Sequence, residues 1–419
     1  MKLNSSFLFR ALANRNYRLF FTGQGISLVG TWMQQVAMAW MIYRMSNSAF
    51  LLGVVGFAGQ IPGFFLTPFA GILADRHDRR KMLVVTQALS MLQASILTVL
   101  VFTKQIEIWH IFVLSAFMGI INSFDIPIRQ SFTIDMIEKK EDLGNAIALN
   151  SSLFNIARLI GPLAAGILIA VAGEGVCFLL NALSYLAVIA SLQLMTTTPK
   201  EKKASHPHIF HELKEGFVYA FGFMPIRVIL LALAMVSLWG TPAQILMPIF
   251  AKDIFHGGPQ TLGILAAMAG CGALTGAFYL AQRKSVLGLG RVIFVSTLLF
   301  GFSVILFSFS RIFWLSLICI FCCGIGMMVQ MAACNTILQT IVEENKRGRV
   351  MSMFTLAFMG TVPFGSLIGG SLAHTIGAPL TLTFGGVCCI LGGLLFARML
   401  PRLKKEIRPI YIEKGIIIT

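Results

Sequence analysis

The chain reads as an all-α polytopic membrane protein, with twelve transmembrane helices in two pseudo-symmetric six-helix bundles. Three observations carry this reading. The 419 residues are 57% hydrophobic and 12% charged, with a mean hydropathy of +0.81, more apolar surface than a soluble chain of this length can hide. About twelve apolar stretches of roughly 20 residues follow one another, each long enough to cross a bilayer. An internal repeat relates the last six to the first six.

The stretches lie near 17–43, 50–74, 82–103, 107–128, 146–171, 175–195, 226–250, 259–281, 291–309, 312–336, 350–373 and 378–398. Each is apolar nearly all round, and many carry Gly and Pro, which suits spanning helices rather than strands. Met1–Arg18 is polar and basic, and the apolar run behind it is too long for the h-region of a cleavable signal. Residues 196–225 separate six stretches from six. They include Lys200, Glu201, Lys202, Lys203, His206, Pro207 and His208, and Ile209–Phe221 has the pattern of a surface helix. The expected organisation is an N-terminal bundle over 1–195, a cytoplasmic linker over 196–225, a C-terminal bundle over 226–399 and a cytoplasmic tail over 400–419.

The net charge of +16 suggests nucleic acid until its distribution is examined. With the N-terminus inside, the cytoplasmic segments hold 28 of the 33 Lys and Arg; the outer loops hold Arg44, Lys104, Lys252 and Arg311, and Arg158 lies within a span. That asymmetry is the positive-inside signal. It sets both termini in the cytoplasm, with the lipid bilayer as the chain's partner and no nucleic acid; the expected location is the bacterial inner membrane. All eight Cys fall in apolar segments, and Cys319-x-x-Cys322-Cys323 has no second cluster or nearby His. These are read as small packing residues rather than a metal or redox site, and no cofactor is expected.

The repeat is visible in two places. Ser27-Leu-Val-Gly-Thr-Trp-Met-Gln34 aligns with Ser237-Leu-Trp-Gly-Thr-Pro-Ala-Gln244 at an offset of 210, and Gly144, Gly161 and Gly166 recur as Gly348, Gly365 and Gly370 at an offset of 204. Gln24, Ser27, Thr31 and Gln34 or Gln35 make a polar row at helical spacing in the first span; Ser237, Thr241 and Gln244 make its counterpart in the seventh. Uncharged hydrogen-bonding groups in a span face protein or water, not lipid. Two readings stand: the rows bind a substrate near the midplane, or they are interhelical hydrogen bonds. Trp32, Trp40 and Trp239 add aromatic surface.

Arg158 falls halfway along the fifth span, where a charge is costly and faces a cavity or a partner. It either binds an anionic or catecholate-like oxygen, takes part in a coupling relay, or is locked in a structural pair. Gly161-Pro162 bends that span. Asp125, in Asp125-Ile-Pro-Ile-Arg129-Gln130, is the one acid inside the membrane boundary. Paired with Arg79 or Arg80 it would form a latch that protonation weakens, because losing its charge removes the Coulomb partner. Without Gly-x-x-x-x-Gly-Lys-Ser/Thr there is no case for an ATP-driven pump.

The loop Gly71-Ile-Leu-Ala-Asp75-Arg76-His-Asp78-Arg79-Arg80-Lys81 resembles the signature between helices 2 and 3 of the major facilitator superfamily. Asp78 stands where that signature usually has Gly. Either Asp75 caps the partner bundle while Asp78 neutralises Arg76, or the two share that work. With Asp125…Arg129, Arg158…Gly161-Pro162 and Arg347-Gly-Arg-Val-Met-Ser352, the chain resembles the branch of the enterobactin exporter and macrolide efflux proteins. The resemblance implies a monomeric secondary transporter that exports a small organic molecule, a siderophore or an amphipathic drug-like compound. It implies alternating access and the proton as coupling ion, with the 71–81 loop, Asp125 and Arg129 as a cytoplasmic gate. An importer or lysophospholipid flippase of the same fold is the alternative. A membrane acyltransferase would need a catalytic dyad that His110 and His374 do not supply.

Overall fold

The computed structural model describes residues 10–137, 140–196, 209–283 and 285–417; the side chains of Pro68, Gly71, Ile72, Ala74, Asp75, Arg76, Lys140, Asn345 and residues 209–214 lie outside the description. The expected linker residues Lys200 to His208 are likewise outside it. The helices are α1 Arg15–Ser46, α2 Ala49–Arg76, α3 Arg79–Phe102, α4 Ile108–Asp135, α5 Leu143–Ala172, α6 Glu174–Leu194, α7 Ile209–Gly222, α8 Met224–Ile245, α9 Pro259–Ala281, α10 Leu289–Phe309, α11 Phe313–Ile341, α12 Arg347–Phe358, α13 Val362–Ile376 and α14 Ala378–Glu413. Among the described residues, eleven spans are long and apolar enough to cross a membrane, with α8 counted through Ile254 and α12 with α13 as one. The remaining long helix, α1, carries the polar row that lowers its hydropathy, and α7 is the short helix expected in the linker.

The chain divides into two compact units. One comprises Met1–Asn47, Ala58–His206 and His256–Ala267; the other Ser48–Phe57, Pro207–Phe255 and Met268–Thr419. In the first, Tyr17, Phe20, Leu83, Ile128, Phe132 and Leu192 pack at the end rich in Arg and Lys. The Tyr17 hydroxyl donates to the Ala146 carbonyl at 2.8 Å, tying α1 to α5. In the second, Ile226, Ile293, Leu338, Val350 and Ile407 form the core. There α7 docks on α12: Arg349 meets Glu215 at 2.8 Å, and the Lys346 ammonium lies 4.5 Å from the centre of the Tyr219 ring. Burial pushes the Tyr219 phenol above its usual range; Glu343 adds to this and Lys346 opposes it.

The repeat acquires a physical meaning at two helix crossings. In the first unit, a Cβ on Gly166 of α5 would lie 2.9 Å from the Pro259 carbonyl oxygen and 3.3 Å from the Gly263 Cα of α9. In the second, a Cβ on Gly370 of α13 would lie 2.7 Å from the Gly53 Cα and 2.8 Å from the Ala49 carbonyl oxygen of α2. Gly53 and Gly263 are themselves separated by the offset of 210. Both crossings bring backbone against backbone, which only small residues permit.

The eleventh span differs from expectation. It breaks between α12 and α13, and the cause is Pro363, which has no N–H for the Met359 carbonyl. The Val362 N–H moves to that carbonyl, leaving the one of Phe358, to which the Ser237 hydroxyl of α8 donates. Ser237 and Thr241 are buried, and the Thr241 hydroxyl donates to the Ser237 carbonyl at 2.6 Å.

Gly370→Leu is expected to cost about 1–3 kcal/mol through overpacking. This will appear as a lower midpoint for thermal unfolding in detergent, while Gly144→Ala, with nothing within 4 Å of its Cβ, leaves the midpoint unchanged. Ser237→Ala is expected to cost about 0.5–1.5 kcal/mol and to raise hydrogen exchange at residues 358–362.

Candidate substrate site and basic-end cluster

Arg158 lies midway along α5, partly exposed. Its guanidinium carbon is 5.8 Å from the centre of the Trp32 indole on α1. Trp32 in turn meets Phe154 edge-on, with ring centres 5.6 Å apart. The sequence builds this contact locally. A Cβ on Gly161 would reach within 2.5 Å of the Trp32 Cβ, so the glycine one turn beyond Arg158 makes room for the indole. Pro162, four residues beyond Arg158, supplies no N–H to its carbonyl. No described carboxylate or carbonyl pairs with the guanidinium. Gln35, exposed, lies one turn along α1 from both Trp32 and the partly exposed Thr31.

A guanidinium offers five donors in a planar fork that matches a carboxylate or paired phenolate oxygens. Water is the usual alternative partner, and a span supplies little of it. The Trp32 and Phe154 rings supply apolar surface beside the charge. In the second unit, Gln244 is exposed on α8, and Trp239 meets Phe384 edge-on at 5.1 Å.

Other members of the polar rows lie elsewhere. Gln34 is buried: its amide donates to Gln93 Oε1 at 2.9 Å and accepts from Asn181 Nδ2 at 2.8 Å. Gln93 donates onward to the Leu114 carbonyl, and Asn181 contacts the Tyr185 hydroxyl. Gln34 thus holds α1, α3, α4 and α6 together, as Ser237 holds α8 to the α12 terminus. For these two the interhelical reading fits the geometry. Gln24 and Ser27 are also buried, and the Gln24 amide oxygen has no partner among the described residues.

At the basic end the expected pairing of Asp125 with Arg79 or Arg80 gives way to another. Asp125, 4% exposed, accepts from Thr86 Oγ1 at 2.8 Å and Gln87 Nε2 at 2.7 Å, and meets Arg129 at 3.2 Å. Arg129 is one helical turn away on the same face of α4. Arg79 pairs with Asp135 at 2.7 Å, and Arg80 donates to the Gln193 carbonyl at 2.8 Å. Asp135 escaped the sequence reading because α4 runs on to that residue, through a stretch read as loop. Asp78 is the N-cap of α3, accepting the backbone N–H groups of Arg80 at 2.9 Å and Lys81 at 3.3 Å. The expected neutralising of Arg76 involves a side chain outside those described, as is that of Asp75.

Comparison with known proteins gives these features a context. Residues 6–410 match the family described as transmembrane secretion effector. The staphyloferrin A transporter of Staphylococcus aureus is 27% identical, over 93% of this chain and 98% of its own. Macrolide efflux protein A of Streptococcus pyogenes is 23% identical over 86% and 91%, and the enterobactin exporter EntS of Citrobacter koseri is 22% identical over 95% of each. The fold matches a bacterial homologue of the iron transporter ferroportin, with a TM-score of 0.72 and 17% identity over 92% of this chain and 98% of that one. The chain is a multi-pass membrane transporter, and it belongs to the transmembrane secretion effector family of the major facilitator superfamily.

Proposed function

We propose that this protein is a proton-coupled exporter of a small organic acid of siderophore type, working by alternating access as a monomer with both termini in the cytoplasm. The observation that carries the reading is Arg158, a charge held in the middle of a span over Trp32 with no described counterion. Keeping it there costs several kcal/mol on the scale of roughly 2.5–3.5 for Arg at a span centre. An acidic oxygen on the cargo repays that cost only while the cargo is bound. The cargo's rings or alkyl arms would rest on Trp32 and Phe154, with Thr31 and Gln35 as hydrogen-bonding neighbours. Relatives named for staphyloferrin A and enterobactin support the substrate class, and the one named an enterobactin exporter supports the direction.

The basic-end cluster serves as the gate in this proposal. Arg79–Asp135 ties the start of α3 to the end of α4, and Arg80 ties α3 to the end of α6. Asp75, Arg76 and Gly71 complete the loop by family resemblance. Salt bridges of this kind are weak enough to break within a transport cycle, at about 0–1 kcal/mol when exposed and more when partly buried.

Arg158→Gln is expected to weaken binding of staphyloferrin A or enterobactin, whichever is the better ligand, by roughly 10- to 100-fold, the loss of one charge-assisted contact at about 1.5–3 kcal/mol. Arg158→Lys restores only part of it, because an ammonium lacks the fork. A macrolide, which carries a basic amine rather than an acid, is expected to bind both forms alike. Equal siderophore affinity in all three proteins would return Arg158 to a structural role. For the gate, Arg79→Asp and Asp135→Arg are each expected to slow efflux from loaded vesicles several-fold, and the charge-swapped double variant to recover part of the rate. A double variant no faster than the singles would rule out an electrostatic latch.

A further inference from the structure

We propose that the crevice between α9, α10 and α11 at the basic end binds one anionic phospholipid, with an acyl chain between the helices and the phosphate on Arg283. All its residues belong to the second unit. The crevice begins where two helices part. A Cβ on Gly272 of α9 would lie 3.1 Å from the Gly324 Cα of α11, and one on Gly276 would lie 3.1 Å from the Ile325 carbonyl oxygen. Past Gly276, α9 has no further glycine to keep the backbones in touch. Ala277 and Ala281, one turn apart on α9, then line the gap opposite Met328, Ala332 and Thr336, which recur every fourth residue on α11. Val286 and Leu289 close the third side. The space is about 340 Å³, within the roughly 300–1,000 Å³ of small-ligand sites. The Thr336 hydroxyl is satisfied by the Ala332 carbonyl at 2.9 Å. The other polar side chains of the wall, Arg283 and Ser285, stand together in the loop after α9. A ligand with a chain and an anionic head matches that asymmetry. A free anion would leave the apolar walls unused, and a neutral hydrocarbon would leave the guanidinium unused.

The charge distribution selects the head group. Arg283 donates to the Leu287 carbonyl at 2.9 Å and reaches the Tyr279 hydroxyl at 3.4 Å; its other N–H groups meet no described residue. The Ser285 hydroxyl accepts the Leu287 N–H at 3.1 Å, which leaves its own proton to donate. Elsewhere at this end the cations have acids: Arg79 meets Asp135, Arg349 meets Glu215, and Lys346 meets Glu343 at 3.1 Å. Around the crevice the sequence supplies none. It places Arg283, Lys284 and Arg291 close together, with no Asp or Glu between Asp253 and Glu343. A Cβ on Gly290 would lie 2.8 Å from Leu400 Cδ2, so the first turn of α10 packs on α14 where Arg398 and Arg402 are exposed. That helix has no acid before Glu406. Cations without acids, at the level where a span meets the head groups, favour a lipid of net negative charge over a zwitterion. Phe278, Tyr279 and Leu287, beside the lining residues in sequence, are exposed, so apolar surface continues outside the crevice.

Native mass spectrometry of the detergent-purified protein tests the site, using phosphatidylglycerol and phosphatidylcholine with the same chains. The wild type is expected to hold one phosphatidylglycerol roughly 10-fold more tightly than phosphatidylcholine. Arg283→Gln is expected to lower the phosphatidylglycerol affinity about 10-fold, the loss of one charge-assisted contact. Ala332→Phe and Ala281→Trp fill the crevice and keep every cation, and both are expected to lose the tightly held lipid. Ala281 is exposed at the end of α9, so its substitution tests the crevice should Ala332→Phe not fold. Inorganic phosphate is expected to leave the lipid in place. Three results would each overturn the proposal. One is equal retention of the two lipids by the wild type. Another is unchanged phosphatidylglycerol affinity in Arg283→Gln or in a folded crevice-filling variant. The third is displacement of the lipid by inorganic phosphate, which would mark a site for a simple anion.

Discussion

A charge inside hydrocarbon must be compensated, and the polar interior of this transporter is arranged around that constraint. Asp125 meets it with a hydroxyl, an amide and Arg129. Glu174, where α6 begins, meets it with the Arg44 guanidinium at 2.8 Å. Gln34, Gln93 and Asn181 satisfy one another across three helices. Arg158 departs from the pattern, with an indole face beside its charge and no counterion among the described residues. In the proposed account, the cargo supplies the partner that Arg158 lacks among the described residues.

The same economy shapes the backbone. Transmembrane helices gain nothing from excluding water from one another, so close packing and interhelical hydrogen bonds hold them. Gly166 against Gly263 and Gly53 against Gly370 provide the close packing, once in each unit. Gly161 has a third use, clearing space for Trp32 beside Arg158. One short stretch, Arg158 to Gly166, thus carries a candidate ligand contact, a proline-weakened turn and a helix crossing. Packing and binding are built from the same residues, and a change in one is felt in the other.

Much of this was legible in the sequence, and the failures follow from where side chains point. Apolar length and positive charge distribution indicate the spans, because a bilayer constrains every residue of a span at once. The glycine repeats at 161/365 and 166/370 marked real crossings, since backbone contact tolerates no substitute. Their partners Gly53 and Gly263 went unread, although the offset of 210 would have found them. The polar rows were harder. Gln34 and Gln35 are adjacent in sequence yet face 100° apart on an ideal helix, so one is buried among amides and the other is exposed. Periodicity alone cannot choose between them without knowing which face meets α6. Asp125 was singled out as an intramembrane acid, and its α3 partners Thr86 and Gln87 lie seven residues beyond Arg79 and Arg80, the arginines first considered. Asp135 was hidden by a helix that runs past its apolar part.

The central claim is that Arg158 waits for an acidic group on the cargo. A structure of the protein with bound staphyloferrin A or enterobactin tests it most directly. The account predicts an acidic oxygen of the ligand within hydrogen-bonding distance of the Arg158 guanidinium, with the rest of the ligand against Trp32 and Phe154. A ligand bound away from these residues, with Arg158 still over Trp32 and touching none of it, would contradict the account.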